Sequence, residues 1–126
     1  MTDKSADVRL AEAEALQAAG HPELIKAASH MLTGAFGKAE PLCRIVLKRD
    51  PLDVNAMRLL AEIGLKVGAL NDALHLLERC LILAPEFDLA RLTYAHVLNK
   101  SDKLEQALVQ VNQLLDAKPN EYPLLV

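Results

Sequence analysis

The chain has 126 residues, enough for one domain with a hydrophobic core; 52% of them are hydrophobic and only 3% are aromatic. Its formal net charge is −3 at pH 7. This acidic balance argues against nucleic acid or an anionic membrane as a partner, because both attract basic surfaces. The shortage of rings also argues against a stacking platform for single-stranded nucleic acid.

The first segment of the chain is rich in Ala, Glu and Leu, which favour helix, and we expect an N-terminal capping helix over residues 1–19. The start is polar and carries no apolar stretch behind a basic one, so no secretory signal is visible. The longest apolar run, residues 80–85, is far shorter than the roughly 20 residues needed to cross a bilayer. The sequence predicts a soluble, cytoplasmic protein.

Six further helices are predicted after this segment, and no strand, because no run of β-branched residues alternates with period two. Gly34 and Gly68 are expected to end helices, Pro41 to lie in a first turn, and Asn71 and the 101–102 pair to act as N-caps. The loops are short, so paired helices must be antiparallel. The predicted helices cover residues 22–33, 37–49, 53–67, 71–83, 87–99 and 103–117.

The same features recur every 34 residues along the chain. A fixed period of this length with two helical patterns per period indicates stacked helical hairpins, each of which must pack on a neighbour to bury its apolar face. The recurring positions are proline at 51, 85 and 119, and alanine at 27, 61 and 95 and again at 39, 73 and 107.

These nine residues resemble the tetratricopeptide repeat (TPR) family, whose 34-residue unit has small residues at its eighth and twentieth positions and proline at its thirty-second. The resemblance implies an all-α superhelix, a right-handed solenoid of antiparallel helix pairs preceded by the extra N-terminal helix. Its units would cover residues 20–53, 54–87 and 88–121. Residues 120–126 would begin a truncated fourth unit, which predicts that the chain is the N-terminal piece of a longer protein.

The chain departs from the family at the eleventh position of the unit, where a large ring is usual. His30, Gly64 and Leu98 stand there instead. The space beside Gly64 has two interpretations: a neighbouring residue fills it, or it accepts a side chain of a ligand.

In this family the first helix of each unit lines a concave groove that binds peptides or partner helices. Leu24, Leu59, Leu89 and Leu92 are expected to be exposed there and favour an apolar partner, a helix laid in the groove, or the protein's own C-terminal region. The positions of the family's carboxylate clamp hold no residue suited to that task. The resemblance assigns to the groove Leu24, Met31, Asn55, Arg58, Leu59, Glu62, Leu65, Lys66, Leu89, Leu92, Thr93, His96 and Asn99.

The chain shows no pattern of residues that would carry catalysis, bind a cofactor or hold a metal ion. Every histidine falls in a repeat built for packing, and no glycine-rich phosphate loop occurs. Cys43 and Cys80 lie in apolar helical patterns without a CxxC pairing, so they are expected to be buried thiols; a regulatory disulfide and a metal site are the alternatives.

Two functions fit these observations. The first is a non-catalytic scaffold that binds a protein or peptide partner in the groove. The second is an accessory repeat module of a larger enzyme whose catalytic domain lies beyond Val126, because the array is diffusely similar to those that precede the catalytic domain of some bacterial sulfotransferase-like proteins. The sequence gives no oligomeric state.

Overall fold

The computed structural model describes residues 20–117, which form six α-helices and no strand. Each of the six predicted helices is found, with ends within one residue of those predicted. The predicted helix over residues 1–19 and the predicted start of a fourth unit lie outside the described residues. The helices are α1 (Pro22–Leu32), α2 (Phe36–Arg49), α3 (Val54–Val67), α4 (Leu70–Leu83), α5 (Asp88–Lys100) and α6 (Leu104–Ala117).

The described part of the chain divides into two compact units, with the division inside α3 between Leu59 and Leu60. In the first unit α1 packs on α2. In the second unit α4 packs on α5, and α5 packs on α6.

The small residues of the repeat all lie in the core. A side chain no larger than a methyl group lets two helix backbones come together without strain at the contact. All six predicted positions are buried: Ala27, Ala39, Ala61 and Ala73 at 0% exposure, Ala95 at 3% and Ala107 at 5%.

The turn inside each helix pair has one backbone geometry that recurs every 34 residues. Gly34, Gly68 and Asp102 all have positive φ, at 77°, 88° and 59°. Glycine adopts this left-handed conformation freely, whereas aspartate does so at a cost. In each turn the following amide donates to a carbonyl five residues back: Ala35 to His30 and Ala69 to Gly64 at 2.8 Å, and Lys103 to Leu98 at 2.9 Å.

The turns between helix pairs also repeat. Asp50 ends α2 with φ −137° and ψ 86°, and Ala84 ends α4 with φ −138° and ψ 76°. Each amide donates at 2.8 Å to the carbonyl four residues earlier. The proline that follows each of them keeps its predecessor out of the helical region, which ends the helix at the same place in both repeats.

Three local predictions were wrong. Pro41 lies inside α2, beyond its first turn, because the helix begins at Phe36. Asn71 is not an N-cap, since α4 begins one residue before it and is preceded by Ala69. Ser101 instead follows α5 as its C-cap, and Asp102 occupies the left-handed position of the turn.

Both cysteines are buried free thiols, as predicted. Burial raises the pKa of the Cys43 thiol to about 12, with the charge of Glu40 acting in the same direction. The thiol is therefore neutral at physiological pH and acts as a small apolar side chain in the core.

Within residues 20–117, no helix combines the length and the apolar character that crossing a bilayer requires.

Candidate functional site

The predicted groove residues fall into two groups, and four of them are buried. Leu24 and Leu59 are 0% and 2% exposed, so the prediction that their side chains are exposed was wrong. Arg58 and Thr93 are also buried, at 3% and 7% exposure. The Thr93 hydroxyl donates to the Leu89 carbonyl of its own helix at 2.9 Å. These side chains therefore stabilise the fold and offer little to a partner.

The accessible members of the set lie mainly in the second unit. Lys66, His96 and Asn99 are exposed, and Glu62, Leu65 and Leu92 are half-buried. On each helix the spacing of three or four residues puts them on one side. We call Glu62, Leu65 and Lys66 of α3 together with Leu92, His96 and Asn99 of α5 the α3–α5 surface. The remaining predicted residues, Met31, Asn55 and Leu89, are half-buried.

Electrostatic interactions connect the two helices at this surface. Partial desolvation lowers the pKa of His96, the positive charge of Lys66 lowers it further, and the negative charge of Glu62 opposes the change. A lowered pKa favours the neutral imidazole near pH 7, which can both donate and accept a hydrogen bond. Around an apolar base, the surface thus presents an ammonium, a carboxylate, an imidazole and an amide.

The space expected beside Gly64 does not exist. A Cβ atom at this position would lie 3.1 Å from the carbonyl oxygen of Ala69 and 3.2 Å from the Cβ of Ala73. The loop and α4 fill the volume that a side chain would take, so the interpretation in which a neighbour fills the space is confirmed. Glycine is needed at position 64 because the Ala69 carbonyl and the Ala73 side chain lie so close to it. The side chain of a ligand cannot enter this space.

A polar cluster in the first unit was missed by the sequence analysis, which predicted no metal site. The Nε2 atom of His21 lies 3.0 Å from Asp53 Oδ2 and 3.7 Å from Asp50 Oδ2. Beside it, Arg49 Nη2 lies 2.7 Å from Glu23 Oε1. The three residues of the cluster are 29 and 32 positions apart in sequence, so no local motif marks them. The signal that could have found them is their position: each stands next to a predicted helix end, where the period brings ends together.

The described residues define an all-helical repeat protein built from antiparallel hairpins. Residues 64–125 match a sequence family described as the tetratricopeptide repeat. This part of the chain therefore matches the family that the 34-residue period indicated.

Among solved structures, the chain is similar to a mutant of the O-GlcNAc transferase of Thermobaculum terrenum, with a TM-score of 0.73 and 23% sequence identity. This similarity covers 97% of the present chain, which spans about a fifth (21%) of the length of the transferase chain. At this identity the likeness shows the fold alone. The comparison with curated proteins finds no match.

Proposed function

We propose that this chain is a protein-interaction module whose α3–α5 surface binds an extended peptide or a helix of a partner protein. Tetratricopeptide repeats in general mediate protein–protein interaction, and residues 64–125 belong to such repeats. The observation that carries the finer proposal is the exposure of Lys66, His96 and Asn99 around the half-buried Leu65 and Leu92.

The composition of this surface indicates the chemistry of the partner. Leu65 and Leu92 retain apolar area that a partner can bury, at roughly 25 cal/mol per Å². The exposed Lys66 ammonium favours an acidic group on the partner, and the Asn99 amide can bond to an extended peptide backbone. An amphipathic segment with at least one carboxylate meets both requirements.

The partner need not be a separate protein. The C-terminal region of the same protein is a second source for such a segment. Because Leu24 and Leu59 are buried within the described chain, a C-terminal segment can contact only the accessible residues, as a separate partner would.

A second candidate function is that of a repeat module within a longer enzyme. Its support is the structural similarity to a transferase chain, in which the matched part makes up 21% of the length. The more specific resemblance to sulfotransferase-like proteins finds no support in these comparisons. Reading the gene beyond the codon for Val126 tests this candidate: a downstream catalytic domain supports it, and further repeats or a stop codon contradict it.

Selection from a random peptide library on the immobilised 126-residue chain tests the binding proposal. We expect selected peptides to share apolar residues at helical or extended spacing together with an acidic residue. Lys66→Glu should weaken the selected peptides by at least about tenfold, which corresponds to roughly 1.4 kcal/mol. The double substitution His96→Ala and Asn99→Ala should weaken them as well.

Lys38→Glu is the matched control, because Lys38 is an exposed lysine on α2 in the other unit and its substitution makes the same change in charge. It should leave the affinity unchanged. Equal affinity of the peptides for the chain with Lys66, for Lys66→Glu and for the double variant would contradict the proposed surface. A selection that yields no binder would contradict it as well.

A further inference from the structure

We propose that His21, Asp50 and Asp53 form a binding site for a divalent transition-metal ion, with Zn²⁺ the ion best matched to the donors. The site lies entirely within the first compact unit and shares no residue with the α3–α5 surface. Its residues come from three helix ends: the N-terminus of α1, the C-terminus of α2 and the N-terminus of α3.

The spacing of the donor atoms fits one ion. A nitrogen and an oxygen bound to one zinc ion at about 2.0–2.2 Å lie roughly 3.0–3.6 Å apart. His21 Nε2 lies 3.0 and 3.7 Å from the two Oδ2 atoms, and all three donor atoms lie within 4.8 Å of one another. Only small adjustments of the side chains are needed for a common ion.

The two carboxylates are held in place by bonds that leave one oxygen of each for the ion. Asp53 Oδ1 accepts the amide of Ala56 at 2.8 Å, and Asp50 Oδ1 accepts the amide of Leu52 at 3.4 Å. In both residues the other oxygen, Oδ2, lies on the side of His21. The Asp53 side chain is only 9% exposed, so its orientation is also fixed by packing.

A third carboxylate lies near this end of the unit. Glu23, in the first turn of α1, pairs through Oε1 with Arg49 Nη2 at 2.7 Å, and its side chain is 25% exposed. Because Arg49 compensates this carboxylate, the proposed site consists of His21, Asp50 and Asp53 alone.

The backbone conformation of the turn does not require these three residues. One period further along the chain, the same positions hold Asn55, Ala84 and Phe87. The turn at Ala84 nevertheless has the backbone conformation of the turn at Asp50. The polar cluster is therefore an addition to the repeat. Two carboxylates held close together repel each other, and a positive ion between them would offset this repulsion.

One imidazole and two carboxylates form a borderline-to-hard donor set that suits Zn²⁺, Mn²⁺ or Co²⁺ better than soft ions. Three protein ligands leave at least one coordination position open for water. Because an ion would join α1 to the α2–α3 turn, it should stabilise the first unit.

Isothermal titration of the 126-residue chain with Zn²⁺ tests the site directly, and the visible absorption of bound Co²⁺ reports the coordination geometry. We expect one ion per chain. His21→Asn and Asp50→Asn should each weaken binding by about 100-fold or more, since loss of an outer partner alone costs about 10–100-fold. Thermal unfolding with and without Zn²⁺ should show a stabilising shift that both variants lose.

His75→Asn is the matched control, because His75 is an exposed histidine on α4 outside the cluster, and it should bind Zn²⁺ unchanged. Circular dichroism of each variant without the metal reports whether the helices are retained. Failure to bind Zn²⁺, Mn²⁺ or Co²⁺ at millimolar concentration would overturn the proposal. Unchanged binding in folded His21→Asn and Asp50→Asn would overturn it as well, leaving the cluster as an ion pair.

Discussion

The two turns between helix pairs share a backbone but differ in their side chains. Asp50 and Ala84 end their helices with nearly the same dihedral angles, and both turns close with amide–carbonyl bonds of 2.8 and 3.1 Å. The first turn carries two aspartates against His21. Near the second turn, Arg91 donates to the Pro85 carbonyl at 2.9 Å and to the Gln110 amide oxygen at 2.6 Å.

This difference shows that the repeat fixes the path of the chain without fixing the chemistry at its turns. The proline after each helix and the buried alanines set the backbone, because they act through sterics that any repeat shares. The polar residues at the turn are then free to differ. Positions at which the repeats differ are therefore more informative about function than positions at which they agree.

The largest expected effect comes from enlarging the shared alanine frame. Ala39→Leu and Ala73→Leu should each destabilise the chain by about 1–3 kcal/mol, because extra methyl and methylene groups would overpack a helix contact. Ala73→Leu should be the more costly, since Gly64 shows that the neighbouring backbone leaves no room beside it. Urea denaturation measures both, and a variant as stable as wild type would show that its position is not a close helix contact.

Substitutions at the first turn between pairs should separate its two aspartates. Asp53→Ala should cost about 1 kcal/mol, because the amide of Ala56 loses the carboxylate that caps α3. Asp50→Ala should cost less, since its bond to the Leu52 amide is long, at 3.4 Å, and its side chain is 48% exposed. Chemical denaturation without metal checks this order, and the reverse order would contradict the capping assignment.

Substitutions at the left-handed positions of the turns inside the helix pairs should change stability in opposite directions. Gly68→Ala should cost about 1 kcal/mol through backbone strain alone, because no atom lies within 4 Å of a Cβ placed there. Asp102→Gly should stabilise the chain by a few tenths of a kcal/mol, roughly, by relieving the same strain. Thermal unfolding of the two variants checks the signs. Destabilisation by Asp102→Gly would mean that its side chain contributes more than its backbone conformation costs.

The smallest effect is the pH dependence of the exposed ion pair beside the first turn. Pairing with Arg49 holds the pKa of Glu23 below its ordinary value of 4.5. The folded state therefore binds this proton less readily than the unfolded state, so the contribution is present above about pH 4.5 and is lost as the pH falls through the lowered pKa. Comparing unfolding of wild type and Arg49→Ala between pH 6 and pH 3 checks this. We expect the difference between them to shrink towards low pH and at high salt.

Much of the fold could be predicted because its signals are local. Pro51, Pro85, Gly34 and Gly68 end helices through their own backbone preferences, and the alanine spacing identified the close contacts. The helix ends were therefore predicted to within one residue. Asn71 and Ser101 were assigned as N-caps from residue type alone, and both assignments were wrong. Asn71 is the second residue of α4, and Ser101 directly follows the last residue of α5.

The candidate site was less predictable, because burial depends on how many neighbours a helix has. The family resemblance assigned Arg58 and Leu59 to the groove by their positions in the unit, but both side chains are buried. Lys66 and His96 were predicted to line the groove, and the side chains of both are exposed. The cluster around His21 depends on contacts between residues distant in sequence, which no local pattern contains.

Backbone assignment of the chain by solution NMR tests the central claim most directly, that one turn geometry recurs every 34 residues whatever side chains it carries. We expect positive φ at Gly34, Gly68 and Asp102 and helical chemical shifts on both sides of each. The Asp102 value is the most informative, since positive φ is uncommon in residues other than glycine. A negative φ at Asp102, or an uninterrupted helix through residues 101–103, would contradict the account.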